Sequence, residues 1–135
     1  MPSLLPVNKG PVTPESERFW DGIQNGEFRL NRCNDCGTVI WYPRRTCNVC
    51  LSRNLTEFTA SGRGSIYTFT INRRGEGSFK ESAPYVLCYV ELEEGPRVLT
   101  NLVDSNLDDV AIGKAVEVVY EKDDSGWTIY RFKLV

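Results

Sequence analysis

A chain of 135 residues with 41% apolar content suffices for one compact unit or two very small ones, and no apolar run approaches the length of a membrane-spanning helix. Lys and Arg number 16 against 18 Asp and Glu, and the net charge of −2 with a pI near 5.2 argues against a domain whose main task is binding phosphate backbone. Histidine is absent, which removes the commonest general acid–base group and every Ser–His or Cys–His nucleophile pair.

The N-terminus, Met1-Pro2-Ser3-Leu4-Leu5-Pro6, lacks the basic start and apolar stretch of a secretory signal. Residues 1–12 carry three prolines and little periodicity, so they read as an extended lead-in suited to lie against a partner. Thr13-Pro14-Glu15 reads as a helix start: Thr13 as cap, Pro14 in the first turn, and Glu15 and Glu17 at the positive end of the dipole. The helix is short and ends near Gly26, with Phe19, Trp20 and Ile23 on one face. A lone helix of this size is marginal in water, so the aromatic pair packs on something. Core packing and a protein-binding face at Phe19 and Trp20 both satisfy that need.

Glu27 to Arg32 alternates and leads as a strand into Cys33-Asn34-Asp35-Cys36, and Thr38 to Tyr42 forms a second strand after Gly37. Ten residues separate Cys36 from the next pair, Cys47-Asn48-Val49-Cys50. Two CxxC turns at this spacing supply four thiolates to a tetrahedral Zn²⁺ site, with no open position for water or substrate. Such a metal is structural. The competing assignment is two disulfides in a secreted domain; with reduced cysteines the expected compartment is the cytoplasm. Arg44 and Arg45 either offset the negative charge of the thiolate centre or meet an anion such as a phosphate or a partner carboxylate.

From Leu55 the pattern becomes all-β. Leu55–Ala60 reads as a bridging strand and Ser61-Gly62-Arg63-Gly64 as a turn or bulge. Strands are predicted at Ser65–Asn72, Tyr85–Leu92, Arg97–Val103, Ala115–Glu121 and Trp127–Leu134, with one helical turn in the connector before the fourth. In the first of these, Tyr67, Phe69 and Ile71 share one face and Ile66, Thr68 and Thr70 the other. Five strands in this order match an OB-fold barrel. The fold class is thus mainly β: an N-terminal extension and helix over 1–31, a rubredoxin-like zinc ribbon over 32–58, and a five-stranded OB-fold over 59–135. Cys88, mid-strand, reads as core filler, because no histidine exists to activate it. An OB-fold invites a single-stranded nucleic-acid alternative, with Tyr67, Phe69, Tyr85 and Tyr89 stacking bases and Arg73, Arg74 and Lys80 supplying charge. The acidic balance opposes it, and ordinary barrel core accounts for the same aromatics.

Several stretches together resemble one family. They are Phe19-Trp20-Asp21-Gly22, the ribbon from Arg32 to Cys50 with Pro43-Arg44, Ser61 to Thr70, Pro84-Tyr85-Val86, Gly95 to Leu102, and Ile112-Gly113. The chain from about residue 14 resembles the zinc-ribbon/OB-fold family long called domain of unknown function 35. The resemblance implies a small, non-catalytic partner of thiolase-superfamily enzymes that act on acyl-CoA: thiolases, acyltransferases, HMG-CoA synthases and lipid-transfer-protein-like aldolases. It implies a scaffold that shares in the path by which the acyl-CoA chain reaches the partner's active site. From charge and loop placement alone, Arg44, Arg45, Arg73 and Arg74 are candidates for CoA phosphate; Phe19, Trp20, Trp41 and Tyr42, aromatics with the least core to absorb them, are candidates for partner docking. A third alternative is a carrier that binds acyl-CoA without an enzyme partner.

Overall fold

The computed structural model describes residues 5–7 and 9–135; residues 1–4 and 8 of the predicted lead-in lie outside the described residues. The first element is the helix α1 (Glu17–Gln24), which buries Phe19, Gly22 and Ile23. The start differs from expectation. Thr13 to Ser16 closes a separate turn, with the Ser16 amide on the Thr13 carbonyl at 3.0 Å. The Ser16 hydroxyl, fully buried, accepts from the Thr13 amide at 3.0 Å. Ser16 therefore occupies the N-cap with its side chain turned away from the helix, and Pro14 sits one turn too early to open it.

The ribbon is a three-stranded antiparallel sheet of β1 (Arg29–Cys33), β2 (Val39–Ile40) and β3 (Leu55–Thr59), in the order β2-β1-β3. The predicted bridging strand is thus part of the ribbon. It pairs with β1 over its whole length, from Arg29 opposite Thr59 to Cys33 opposite Leu55.

The remaining strands, β4 (Arg63–Asn72), β5 (Tyr85–Leu92), β6 (Arg97–Leu102), β7 (Ala115–Lys122) and β8 (Thr128–Leu134), close into a barrel in the order β4-β5-β6-β8-β7. Closure between β6 and β8 is a parallel contact at Leu102 and Phe132. This is the OB-fold order, and the predicted helical turn is Leu107–Asp109. Ile66, Val86, Val90, Val98, Val116 and Phe132 fill the interior. At Gly64 the strands run so close that a Cβ would lie 2.3 Å from the Glu91 carbonyl oxygen.

The face assignment in β4 changes at a bulge. The register shifts between Ile66 and Thr68, so Tyr67 is the extra residue. Beyond it Phe69 and Ile71 pair with the inward residues Cys88 and Val86, while Thr68 and Thr70 pair with Tyr89 and Leu87. Ile66, Phe69 and Ile71 thus pack the core, and Tyr67 joins the outer face at 44% exposure. Tyr89 is likewise 43% exposed, so barrel core does not account for these two rings.

Arg131 of β8 is buried at 4% exposure and bonded on three sides. Its guanidinium donates to Glu121 Oε1 at 3.1 Å, to the Asn101 side-chain oxygen, and to the Pro6 carbonyl at 2.7 Å. Burial holds its pKa below the usual guanidinium range, and Glu121 opposes that shift. Lys9 Nζ lies 4.5 Å from the Trp127 ring centre. The described part of the lead-in therefore lies against the barrel of its own chain.

Candidate functional site

The four cysteines converge. Cys33, Cys36, Cys47 and Cys50 place their sulfurs within 4.8 Å of one another, with Cys33–Cys50 at 3.5 Å and Cys36–Cys47 at 3.6 Å. A tetrahedral zinc with Zn–S bonds of about 2.3 Å needs sulfurs about 3.8 Å apart. No disulfide joins any of the five cysteines, and the four sulfurs converge on one point rather than in two bonded pairs, which favours the metal assignment. Backbone amides aim at the sulfurs, such as Val49 N–H on Cys47 Sγ at 3.4 Å. The thiol pKa of Cys33 is lowered mainly by the Cys36 amide, that of Cys36 by the Thr38 hydroxyl, and that of Cys47 by the Cys50 amide. At Cys50 the Ser52 amide lowers the pKa, but the other three sulfurs, Cys33 foremost, push it up to about 12. A cation bound among the four sulfurs would favour the fully deprotonated set. The donor set fits zinc and leaves no position for a reacting ligand.

Polar bonds tie the two turns together. The Asn34 amide donates to the Asn54 carbonyl at 2.9 Å, and the Ser52 hydroxyl donates to the Asp35 carboxylate.

Phe19, Trp20, Trp41 and Tyr42 meet in an aromatic seam where helix, ribbon and barrel join. Phe28, 1% exposed, is its hub, with ring centres 5.3 Å from Phe19, 5.6 Å from Trp41 and 5.3 Å from Tyr130. Trp20 stacks at a tilt on Trp127 at 5.7 Å and donates its indole N–H to the Tyr42 hydroxyl at 2.7 Å. Gln24 adds a backbone-like clamp, donating to the Thr128 carbonyl at 2.9 Å and accepting from the Thr128 amide at 2.8 Å. Phe19 is only 3% exposed and cannot touch a partner; Trp20 and Trp41 are half-buried, and Tyr42 is 39% exposed. Sequence reasoning did not join Phe28, Trp127 and Tyr130 to this cluster. The available signal was the alternation of Tyr130 and Phe132 in β8.

The arginines stand apart on two modules. Arg44 and Arg45 precede the second cysteine turn, and Arg73 and Arg74 open the β4–β5 loop; all four are exposed. Arg45 reaches Glu15 at 3.4 Å. On the barrel's outer face, Thr68, Thr70, Leu87, Tyr89 and Leu99 line an open apolar groove of about 200 Å³. Beside it the Arg97 guanidinium covers the Tyr67 ring at 3.8 Å and pairs with Glu91 at 3.1 Å. That ring face is not free to stack on a base, which weighs against the nucleic-acid alternative. Cys88 is 2% exposed, and burial pushes its thiol up to about 11, the environment of an inert core thiol.

The chain resembles known proteins over nearly its full length. A family model described as the rubredoxin-like zinc ribbon domain of ChsH2 matches residues 20–56, and one described as the C-terminal OB-fold domain of ChsH2 matches residues 58–121. A DUF35 domain-containing scaffold protein of Methanocaldococcus jannaschii is 39% identical over 124 residues, covering 86% of each chain. The 3-oxo-4,17-pregnadiene-20-carboxyl-CoA hydratase alpha subunit of Mycobacterium tuberculosis is 31% identical over 98% of this chain, which spans 44% of that longer subunit. Among solved structures, a chain of the Ltp2-ChsH2(DUF35) aldolase superposes with a TM-score of 0.82 at 26% identity, covering 93% of this chain and 98% of that one.

Proposed function

The chain belongs to the DUF35 family of zinc-ribbon/OB-fold proteins, and from that premise we propose that it is a non-catalytic scaffold subunit of a thiolase-superfamily enzyme acting on acyl-CoA. The observation that carries this reading is its match, over 93% of its length, to the DUF35 chain of an aldolase complex. Its own chemistry agrees. The four reactive thiols are committed to one closed metal centre, and Cys88 is buried without a base. What the chain offers a partner is shape: a metal-stapled ribbon locked to a barrel through an aromatic seam. We place the docking surface on the ribbon side, at Tyr42 and the open edges of Trp20 and Trp41, with Phe19 supporting them from beneath. We take the division into 1–31, 32–58 and 59–135 as a clasp, a docking module and a barrel, with its bounds moved so that β1 (Arg29–Cys33) and β3 (Leu55–Thr59) both stay in the ribbon. A cytoplasmic compartment is consistent with four cysteines that serve a metal rather than disulfides. No helix among the described residues is long and apolar enough to cross a membrane.

The direct test is co-expression of the tagged chain with each thiolase-superfamily subunit of its own genome. One of them co-purifies at a fixed ratio, and acyl-CoA turnover resides in that subunit. Failure of every such subunit to co-purify overturns the scaffold reading.

Arg44, Arg45, Arg73 and Arg74 are our candidates for the CoA phosphates, since exposed guanidiniums pair well with phosphate oxygens. In the complex, replacing a contacting arginine with Ala raises the KM for the CoA ester roughly tenfold, or about 1.4 kcal/mol. An unchanged KM for all four variants removes CoA contact from this subunit while leaving the scaffold role intact.

A further inference from the structure

We infer that Leu5-Pro6-Val7 is a detachable latch that holds the barrel shut at its weakest joint, between β6 and β8, with the buried Arg131 as its catch. Arg131 follows Tyr130 and precedes Phe132 in β8, and Phe132 fills the barrel interior. Alternation therefore sends the arginine to the outer face of the barrel, where a guanidinium ordinarily keeps contact with water. This one is 4% exposed, with the Pro6 carbonyl accepting from it at 2.7 Å. Its other two acceptors lie on the flanking strands, Glu121 of β7 at 3.1 Å and the side-chain oxygen of Asn101 in β6. Asn101 donates onward to the Val86 carbonyl of β5 at 2.9 Å. One side chain thus ties three strands and the lead-in together.

The tie falls where the barrel is least held by its backbone. Among the described residues, β6 and β8 share one register pair, Leu102 with Phe132, and the Val103 amide donates to the Phe132 carbonyl at 2.8 Å. The next shortest joint, between β4 and β7, runs from Arg63 to Ser65, while β5 with β6 and β7 with β8 pair over nearly their whole lengths. Side chains span the rest of the gap. Besides Arg131 on Asn101, the Tyr130 hydroxyl donates to the Leu99 carbonyl at 3.2 Å.

The lead-in is built to let go as a unit. Leu5, Pro6 and Val7 are half-buried, whereas every residue from Lys9 to Glu15 is exposed, so a short anchored segment is joined to α1 by a tether that lies in water. Lys9, over the Trp127 ring at 4.5 Å, is the one further contact of that tether with β8's end that the structure shows among the described residues. When Pro6 leaves, water reaches the guanidinium, and its bonds to Glu121 and Asn101 become exposed polar bonds of little net worth. The β6–β8 joint then opens locally, while the fully paired strands on either side of it stay together. The latch is a property of this chain alone and does not depend on the scaffold reading.

The test cuts the tether in the folded protein. A specific protease site inserted between the exposed Gly10 and Pro11 is cleaved after purification, and the released segment is removed by gel filtration. Amide hydrogen exchange is then compared with the uncut chain. Exchange in β6 and β8 rises roughly tenfold, while β1, β3 and the β4–β5 pair stay within about twofold. A synthetic peptide of residues 1–10, added in excess, restores the slow exchange. Arg131→Gln loosens the same two strands without cleavage, and after cleavage the peptide no longer restores them. Should that variant not fold, the cleaved wild-type chain decides the matter alone. Unchanged exchange in β6 and β8 of the cleaved chain overturns the latch. So does an equal rise in every barrel strand, which would make the lead-in a general stabiliser with no particular joint to hold. A cleaved chain that keeps residues 1–10 through gel filtration shows that the segment does not detach and overturns it equally.

Discussion

Cys36→Ser is expected to abolish zinc binding and unfold the ribbon, and with it the complex with the partner enzyme. The site needs four soft ligands, and a serine hydroxyl at neutral pH is neither soft nor deprotonated. Cys36 is the informative position because it is exposed, whereas Cys33 and Cys47 are fully buried. A hydroxyl at position 36 meets water, so the loss reports on the metal rather than on a stranded polar group. Away from the seam, the metal end of the ribbon has little else to hold it: its own buried cluster is Cys33, Ile40 and Cys47, with Leu55 packed alongside. Structural zinc contributes free energy comparable to the whole stability of a small domain, so a three-thiolate ribbon does not stay folded. Metal analysis should show less than one zinc per chain, and limited proteolysis should cut within 33–59 while the barrel strands resist. A zinc-free variant that still held its partner at unchanged affinity would take the ribbon out of the docking surface.

What could be read in the sequence follows how local each constraint is. The metal site was legible because CxxC spacing is itself the geometry of the turn. The barrel strands were legible from alternation, and their order from the connector before β7. The features missed are those that depend on which strand lies next door. β3 looked like a bridge because its pairing with β1 spans the whole zinc loop. Tyr67 was assigned to the wrong face because a bulge is a property of a pair of strands, invisible in either one. Arg131, flanked by Tyr130 and Phe132, carries no local sign that Glu121, Asn101 and Pro6 will enclose it. Phe19 and Trp20 were singled out correctly as needing a packing partner. The partners are the chain's own ribbon, at Trp41 and Tyr42, and its barrel, at Trp127 and Tyr130.

Phe28→Ala should split the molecule mechanically without touching the metal. Phe28 precedes β1 and is almost wholly buried, with ring contacts to α1 at Phe19, to the ribbon at Trp41 and to β8 at Tyr130 and Phe132. No other ring in the seam touches helix, ribbon and both of these barrel aromatics. Truncating a buried phenylalanine costs about 3–5 kcal/mol, transfer and cavity together. In a chain of this length that corresponds to a fall in melting temperature of about 10 °C or more. The loss differs in kind from that of Cys36→Ser. Zinc content should stay at one per chain, because the sulfurs and their amide donors are remote from the hub. Near-ultraviolet dichroism from Trp20, Trp41 and Trp127 should collapse before the barrel's far-ultraviolet signal, turning one cooperative transition into two. Phe28→Leu, which keeps most of the volume but loses the edge-to-face contacts, should fall between wild type and Ala. A Phe28→Ala protein that melted in one step, within a few degrees of wild type, would mean that ribbon and barrel are not coupled through this seam. The docking surface proposed at Trp41 and Tyr42 would then have no fixed orientation relative to the barrel, and a scaffold must have one. If instead the variant melts in two steps and binds the partner more weakly while keeping its zinc, rigidity across the seam is part of how the chain presents its surface.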